Sequence, residues 1–495
     1  MTPAPISRRR AIVLGGLGAA SLAIGATGWV ATGSGVRTGG RLQPADTGAE
    51  LRQPQVLDSA DGRLQVELTA AAGVRLAGHD TRALGYNATS PGPTLRVRPG
   101  DELAVRLTNR LDEPTNLHTH GLRVTPQGNS DNPFLRVDPG ASFDYLYRIP
   151  PDHPAGTFWY HPHHHGMVAG QIFGGLAGAL LVAPPGPDPD LPVVEDRVLL
   201  VTDTTLDDAG GLAEVGAMDR AMGRQGELVL VNGQHEPTIP AVPGATQRWR
   251  VINGCVSRVL SIRLDGHELV HVAQDGTFLP APVAADRVLL APGNRADVIV
   301  RPTGTGTGTG TGRYPLIAEA VDRGGMDEMM GGGTASSGPV TLATMVTAGA
   351  PVTAPPLPTT LPAETPAAGP VTTRREIAFQ MGMGMGGMAF TIDGRTFDPD
   401  RDDQNVTLGA TEEWTITNPG PLAHPFHLHI WPFTVIELSD ATPPAGVPQD
   451  VVLVPARGWV RLHIPFTTYS GRSVYHCHIL DHEDAGMMAT VNVRP

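Results

Sequence analysis

The chain has no lysine; all 36 residues counted as Lys+Arg are arginine. That reads as a high-GC coding bias and carries no mechanism. Cysteine is nearly absent too, with only Cys255 and Cys477. With Cys477 committed to the motif described below, no disulfide is left to form. Cys255, in Val-Ile-Asn-Gly-Cys-Val-Ser, then reads as a small buried apolar side chain, and stability has to come from packing and bound groups. Net positive charge is missing as well. A formal charge of −13 argues against nucleic acid and anionic lipid as partners and is compatible with cationic substrates. Beyond the first 33 residues there is no long apolar run, so no later segment approaches a transmembrane span.

What is abundant is turn chemistry. The 61 glycines and 47 prolines punctuate short apolar segments, and these alternate with the two-residue period of strands. Leu64-Gln-Val-Glu-Leu-Thr, Leu103-Ala-Val-Arg-Leu-Thr, Arg248-Trp-Arg-Val-Ile-Asn and Ala296-Asp-Val-Ile-Val are examples. The expected class is all-β, built from Greek-key β-sandwiches. At 495 residues the chain exceeds one core and suggests about three domains of roughly 150 residues. The expected division is 1–45 leader, 46–185 first domain, 186–348 second, 349–372 a Pro/Thr-rich linker and 373–495 third. The Thr-Gly repeat from Thr303 to Gly312 is expected as a hairpin loop. Ser7-Arg8-Arg9-Arg10 before a weakly apolar Ala/Gly/Leu stretch reads as a Tat-type export signal. It places the protein in the periplasm, cell envelope or secreted space, with no stable membrane partner.

The chemistry lies in four clusters. His476-Cys477-His478 is followed by His482 and Met487. His424 lies upstream in His424-Pro-Phe-His427-Leu-His429. Two histidines, a thiolate and a weak axial thioether suit a blue-copper centre. Adjacent strand residues face opposite ways, so if Cys477 faces one metal, His476 and His478 face another. His118-Thr-His120 and His161-Pro-His163 complete four His-x-His pairs with His427-Leu-His429 and His476-Cys-His478. These eight imidazoles are enough for three further ions. The middle segment has no such pair, and its His235, His267 and His271 read as structural.

In these motifs and their order the chain resembles the multicopper oxidases (laccases, bacterial cuprous oxidases, bilirubin oxidases) from about residue 50 to the end. The resemblance implies three cupredoxin-like domains, with the first and third sharing a trinuclear cluster across their interface. It implies four copper ions per chain. His424, Cys477, His482 and Met487 match the type 1 ligands, and His118 and His427 the type 2 ligands. His120, His161, His163, His429, His476 and His478 match the type 3 pair, leaving His164 and His165 as neighbours or surface. Glu483 matches a position proposed to feed protons to the cluster, and Asp131 a carboxylate near type 2 copper. Asp481 and Asp484 are candidates for orienting ligand imidazoles. The implied reaction takes single electrons from a small reducing substrate and reduces O2 to water, in a monomer.

The donor is left open. Met381-Gly-Met383-Gly-Met385-Gly-Gly-Met388 and Met326-Asp-Glu-Met329-Met330 offer soft thioethers for Cu(I), or form a loop packed on apolar surface. Cuprous oxidase and laccase-like oxidation of phenols or aromatic amines both fit. Other classes are a copper nitrite reductase, disfavoured by the full set of His-x-His pairs, and a non-enzymatic cupredoxin-fold copper-binding protein.

Overall fold

A computed structural model describes residues 40–184, 191–304, 312–325, 338–365, 369–384, 387–441 and 446–495. The N-terminal segment expected to direct export, Met326, Met329, Met330, Met385 and most of the Thr-Gly repeat lie outside them. Within the described residues the regular secondary structure is almost entirely strand, with helices of seven residues or fewer. No helix there is long and apolar enough to cross a membrane.

Three cupredoxin-like sandwiches follow one another. In Arg63–Ala72 the side chains of Leu64, Val66, Leu68 and Ala70 are buried while Arg63, Gln65 and Glu67 are exposed. The strand pleat turns that alternation into an inner and an outer face. Its sheet packs against a five-stranded one ordered Val56–Asp58, Thr94–Val97, Gly178–Val182, Gly156–His161, His118–His120. Tyr145, Tyr147, Phe158 and Leu180 fill the space between them. The middle sandwich pairs a seven-stranded with a five-stranded sheet around Trp249, Val251 and Leu290. The third pairs two five-stranded sheets around Trp414, Phe426, Trp431 and Tyr475. Cys255 is buried in the middle core.

The structure corrects one expectation. The strand before the Thr-Gly repeat, Arg295–Val300, belongs to the seven-stranded sheet, and the strand after it, Gly312–Glu319, to the five-stranded one. The repeat therefore joins two sheets of a sandwich and is not a hairpin loop. The leader is tied down from residue 41: Leu42 N–H donates to Leu206 O (3.2 Å) and Leu51 N–H to Thr238 O (2.8 Å). The Pro/Thr-rich stretch is a packed strap. Leu361 is buried beside Leu191 and Phe278, and Glu364 takes both arms of Arg123 at 2.9 and 2.7 Å.

Paired strands of the first and third domains carry most of the functional side chains. His118–His120 pairs with Gly156–His161 in a register that sets His118 beside His161 and His120 beside Trp159. In the third domain His424–Leu428 pairs with Gly471–Cys477, setting His427 beside His476 and Phe426 beside Cys477. Strand alternation then separates Cys477 from His476.

Candidate metal centres

Two groups of buried donors form, one on each side of Cys477. In the first, His424 Nδ1 lies 3.3 Å from Cys477 Sγ and 3.4 Å from His482 Nδ1, and His482 Nδ1 lies 3.9 Å from the sulfur. A trigonal ion about 2.1 Å from each donor spaces them by roughly 3.6 Å, so the triangle has the right size. Met487 is buried in the same hydrophobic core as Cys477, and its carbonyl accepts from Cys477 N–H at 3.1 Å. Burial pushes the Cys477 thiol well up, so a thiolate there calls for a cation beside it. Ile479 N–H donates to the sulfur at 3.3 Å, which stabilises that thiolate. His424 Nε2 has no hydrogen-bond partner among the described residues. With Gly420 four residues upstream, no acid side chain supplies one.

The second group holds the eight remaining motif histidines, each at most 3% exposed. His163 Nε2 and His429 Nε2 lie 3.2 and 3.1 Å from His476 Nε2. His120 Nδ1 is 3.4 Å from His161 Nε2. His118 stacks on His429, and His120 on His427, with ring centroids 3.9 Å apart. His476 Nδ1–H donates to Cys477 O, so its Nε2 offers one lone pair to two facing nitrogens, a convergence that a shared cation satisfies. Burial takes His163 down to about 4, against the pull of the Glu483 carboxylate, and His476 to about 4. Neutral imidazole is the form a metal requires.

The outer nitrogens are mostly fixed by acceptors. His118 Nδ1–H donates to both oxygens of Asp131 (2.9 and 3.0 Å), His161 Nδ1–H to Pro162 O (2.8 Å) and His427 Nδ1–H to Asp450 O (2.8 Å). Each bond leaves Nε2 as the metal-facing atom. Among the described residues, His118 Nε2, His427 Nε2 and both ring nitrogens of His478 are buried without a hydrogen-bond partner, as ligands for an ion would be. Both sets fit copper: thiolate, imidazole and thioether in the first, imidazole alone in the second.

Glu483 is fully buried, 3.1 Å from His476 Nδ1 and 3.4 Å from His163 Nε2. Neither contact has hydrogen-bond alignment, and both carboxyl oxygens stay without a hydrogen-bond partner. Burial raises its pKa to about 7, with His163 pulling the other way. Burial likewise takes Asp131 to about 7, against hydrogen bonds from Thr119.

Asp481 and Asp484 do not orient imidazoles. Asp481 is held by Arg224 at 2.6–3.0 Å, and Asp484 accepts from the N–H groups of Gly166, Val168 and Ala169. His164 and His165 are half-buried and belong to neither donor set. Three contributors escape sequence reasoning: Asp450, Arg295 and the Ala221 carbonyl, which accepts from His482 Nε2–H at 3.0 Å.

Depressed histidines make the copper-free chain acid-sensitive. His153 and His424 are taken down to about 3, first by burial and then by Arg123 and Arg323. Each stays neutral when folded but charges below about pH 6.5 when unfolded. Its contribution is complete above that pH and is lost as pH falls towards 3, at about 2 kcal/mol per histidine by pH 5. The melting temperature of chelator-treated protein should therefore fall steeply from pH 7 to pH 5, and less when copper-loaded. A flat profile in the chelated protein contradicts neutral burial.

Profiles described as multicopper oxidase match residues 68–187, 195–347 and 370–495, one per sandwich. The chain is 27% identical to the multicopper oxidase mco of Staphylococcus haemolyticus, over 83% of this chain and 84% of that protein. It is 28% identical to a laccase of Bacillus subtilis (83% and 90%) and 30% identical to the cell division protein FtsP of Sodalis glossinidius (85% and 84%). A solved multicopper oxidase from Campylobacter jejuni, described as a metallo-oxidase, superposes with a TM-score of 0.80 at 28% identity, covering 93% of this chain and 98% of its own. With three matched domains and two buried donor sets flanking one cysteine, the chain belongs to the multicopper oxidase family.

Proposed function

We propose that the protein oxidises a small donor one electron at a time at the His424–Cys477–His482–Met487 set and reduces O2 to water at the eight-histidine set. When bound, copper would supply single-electron transfer at the first set and O2 reduction at the second. His163, His429 and His476 would hold one ion of the second set, His120, His161 and His478 another, and His118 and His427 the third. The observation that carries the reading is covalent continuity. Cys477 lies in the first set while its chain neighbours His476 and His478 lie in the second, so two or three residues join the two. Glu483 holds a proton beside His476 and His163, where O2 reduction consumes protons.

The donor side favours Cu(I) over phenols. His482 is fully buried, its Nε2–H is taken by Ala221 O, and Phe390 stacks on its ring at 4.4 Å. A phenol has no free imidazole edge to reach. Met222, Met381 and Met388 pack against the third-domain core that also holds Cys477, Met487 and Phe390, and thioethers are soft donors suited to Cu(I). Met381 and Met388 sit on paired strands, Val371–Gly384 and Gly387–Ile392, in which Met383 is opposite Met388. Comparing O2 uptake with Cu(I) and with a methoxyphenol tests this. Leu at 222, 381 and 388 should collapse the Cu(I) rate and spare the phenol rate. Equal rates with and without the methionines make the chain a laccase. Export by the segment from Ser7 to Gly33, and a monomeric state, belong to the same proposal.

A non-catalytic role is the second reading, favoured by the 30% identity to a cell division protein. It predicts copper-loaded protein with no blue absorption and no O2 uptake.

A further inference from the structure

The middle domain carries no His-x-His pair, yet its turn from Ala291 to Arg295 reaches the eight-histidine set. Gly293 has φ +91°, and a Cβ there would lie 3.0 Å from His478 Nε2 and 3.1 Å from His120 Cε1. Gly121 has φ +87°, and a Cβ there would collide with the Arg295 guanidinium and lie 2.7 Å from Asp450 Oδ2. Glycine at both positions lets the turn approach.

Arg295 is fully buried. Its guanidinium forks onto Asp450, with Nη1 to Oδ1 at 2.6 Å and Nη2 to Oδ2 at 2.7 Å. Its Nε–H donates to Thr157 O of the first domain at 3.2 Å, and Nη1 also reaches Gly293 O at 3.3 Å. One guanidinium thus ties all three sandwiches together beside the cluster.

Asp450 addresses two histidines in opposite ways. Its Oδ1 accepts from His120 Nε2–H at 3.0 Å, leaving Nδ1 to face His161. Its main-chain oxygen accepts from His427 Nδ1–H at 2.8 Å, leaving Nε2 free. The two rings are stacked 9° from parallel and present different atoms to the centre. The carboxylate itself lies within ligand reach, since donor atoms of His120, His427 and Asp450 fall within 4.8 Å of one another.

We propose that Arg295 is a positioning residue of the oxygen-reducing site: its fork holds the Asp450 carboxylate as an acceptor for His120 and keeps it from becoming a metal ligand. This rests on the copper-oxidase reading of the eight-histidine set. A bidentate guanidinium fixes both the direction and the occupancy of a carboxylate, which an ammonium cannot do.

The test uses the full copper-loaded protein with Arg295→Met, Arg295→Lys and Asp297→Asn. Asp297 is a neighbouring buried acid, held by Arg248 and Thr157 and placed in neither donor set. Copper per chain, the blue absorption, the type 2 electron paramagnetic resonance signal and O2 uptake are measured together. In R295M the blue absorption should persist while the type 2 signal changes or is lost, and O2 uptake falls about 10–100-fold. R295K should be intermediate, and D297N should lower the melting temperature with an unchanged type 2 signal. If R295M does not fold, R295K decides by the same spectra. An unchanged type 2 signal and full copper content in R295M overturn the proposal, as does the same spectral change in D297N. A parent chain that binds copper but leaves O2 untouched sinks the oxidase reading. Arg295 is then still judged by the copper content and the type 2 signal.

Discussion

Cys477→Ser erases the blue absorption and takes O2 turnover to background, while far-ultraviolet circular dichroism and particle size in solution stay those of the parent chain. The sulfur is the one soft anionic donor in either set, and it forms two edges of the His424–Cys477–His482 triangle. A serine hydroxyl does not ionise there, because the burial that raises the thiol acts on it too. The cost to the fold is that of one buried hydroxyl with imperfect partners, about 1–3 kcal/mol. Three separate sandwich cores absorb that cost. Turnover retained by the serine variant would contradict the assignment of Cys477.

Glu483→Gln gives the opposite pattern. Blue absorption and copper content hold, and the rate of O2 reduction falls by about 10²–10⁴, the range for removing a positioned proton donor. The amide keeps the shape of the side chain, so packing in Leu480–Asp484 is preserved. It cannot cycle a proton beside His476 and His163. Burial raises this carboxyl's pKa to about 7 in the copper-free chain, and a carboxyl group can release a proton and be refilled between turnovers. The loss should therefore show in turnover at saturating donor and persist whether Cu(I) or a phenol supplies electrons. A Gln variant that runs at the parent rate removes Glu483 from the proton path.

The fold class and the candidate donor residues were legible because both are written locally. Strand alternation is read over six residues, as in Leu64-Gln-Val-Glu-Leu-Thr. A His-x-His pair also puts two imidazoles on one face of a strand with no help from tertiary structure. What escaped the sequence arrives from far along the chain in ordinary residue types. Arg295 and Asp450 are 155 positions apart, and Ala221 and His482 are 261 apart. Neither an arginine in a Gly-Asn-Arg turn nor an alanine carbonyl carries a motif. Asp481 and Asp484 misled in the other direction. They neighbour His482 and Glu483 in sequence, but the short helix turns about 100° per residue. That points His482 and Glu483 at the donors and leaves the two aspartates to Arg224 and to the N–H groups of residues 166–169. The Thr-Gly repeat was misread for a related reason: low-complexity sequence does not say which sheet the next strand joins.

The central claim is that two donor sets, joined through Cys477, work as one four-electron device. The direct measurement is O2 consumed per equivalent of Cu(I) or methoxyphenol oxidised by the copper-loaded chain, with hydrogen peroxide assayed alongside. The account predicts one O2 for about every four electrons and no free peroxide, as complete reduction to water requires. One O2 for about every two electrons with peroxide accumulating, or no O2 uptake by protein that holds its copper, would contradict it.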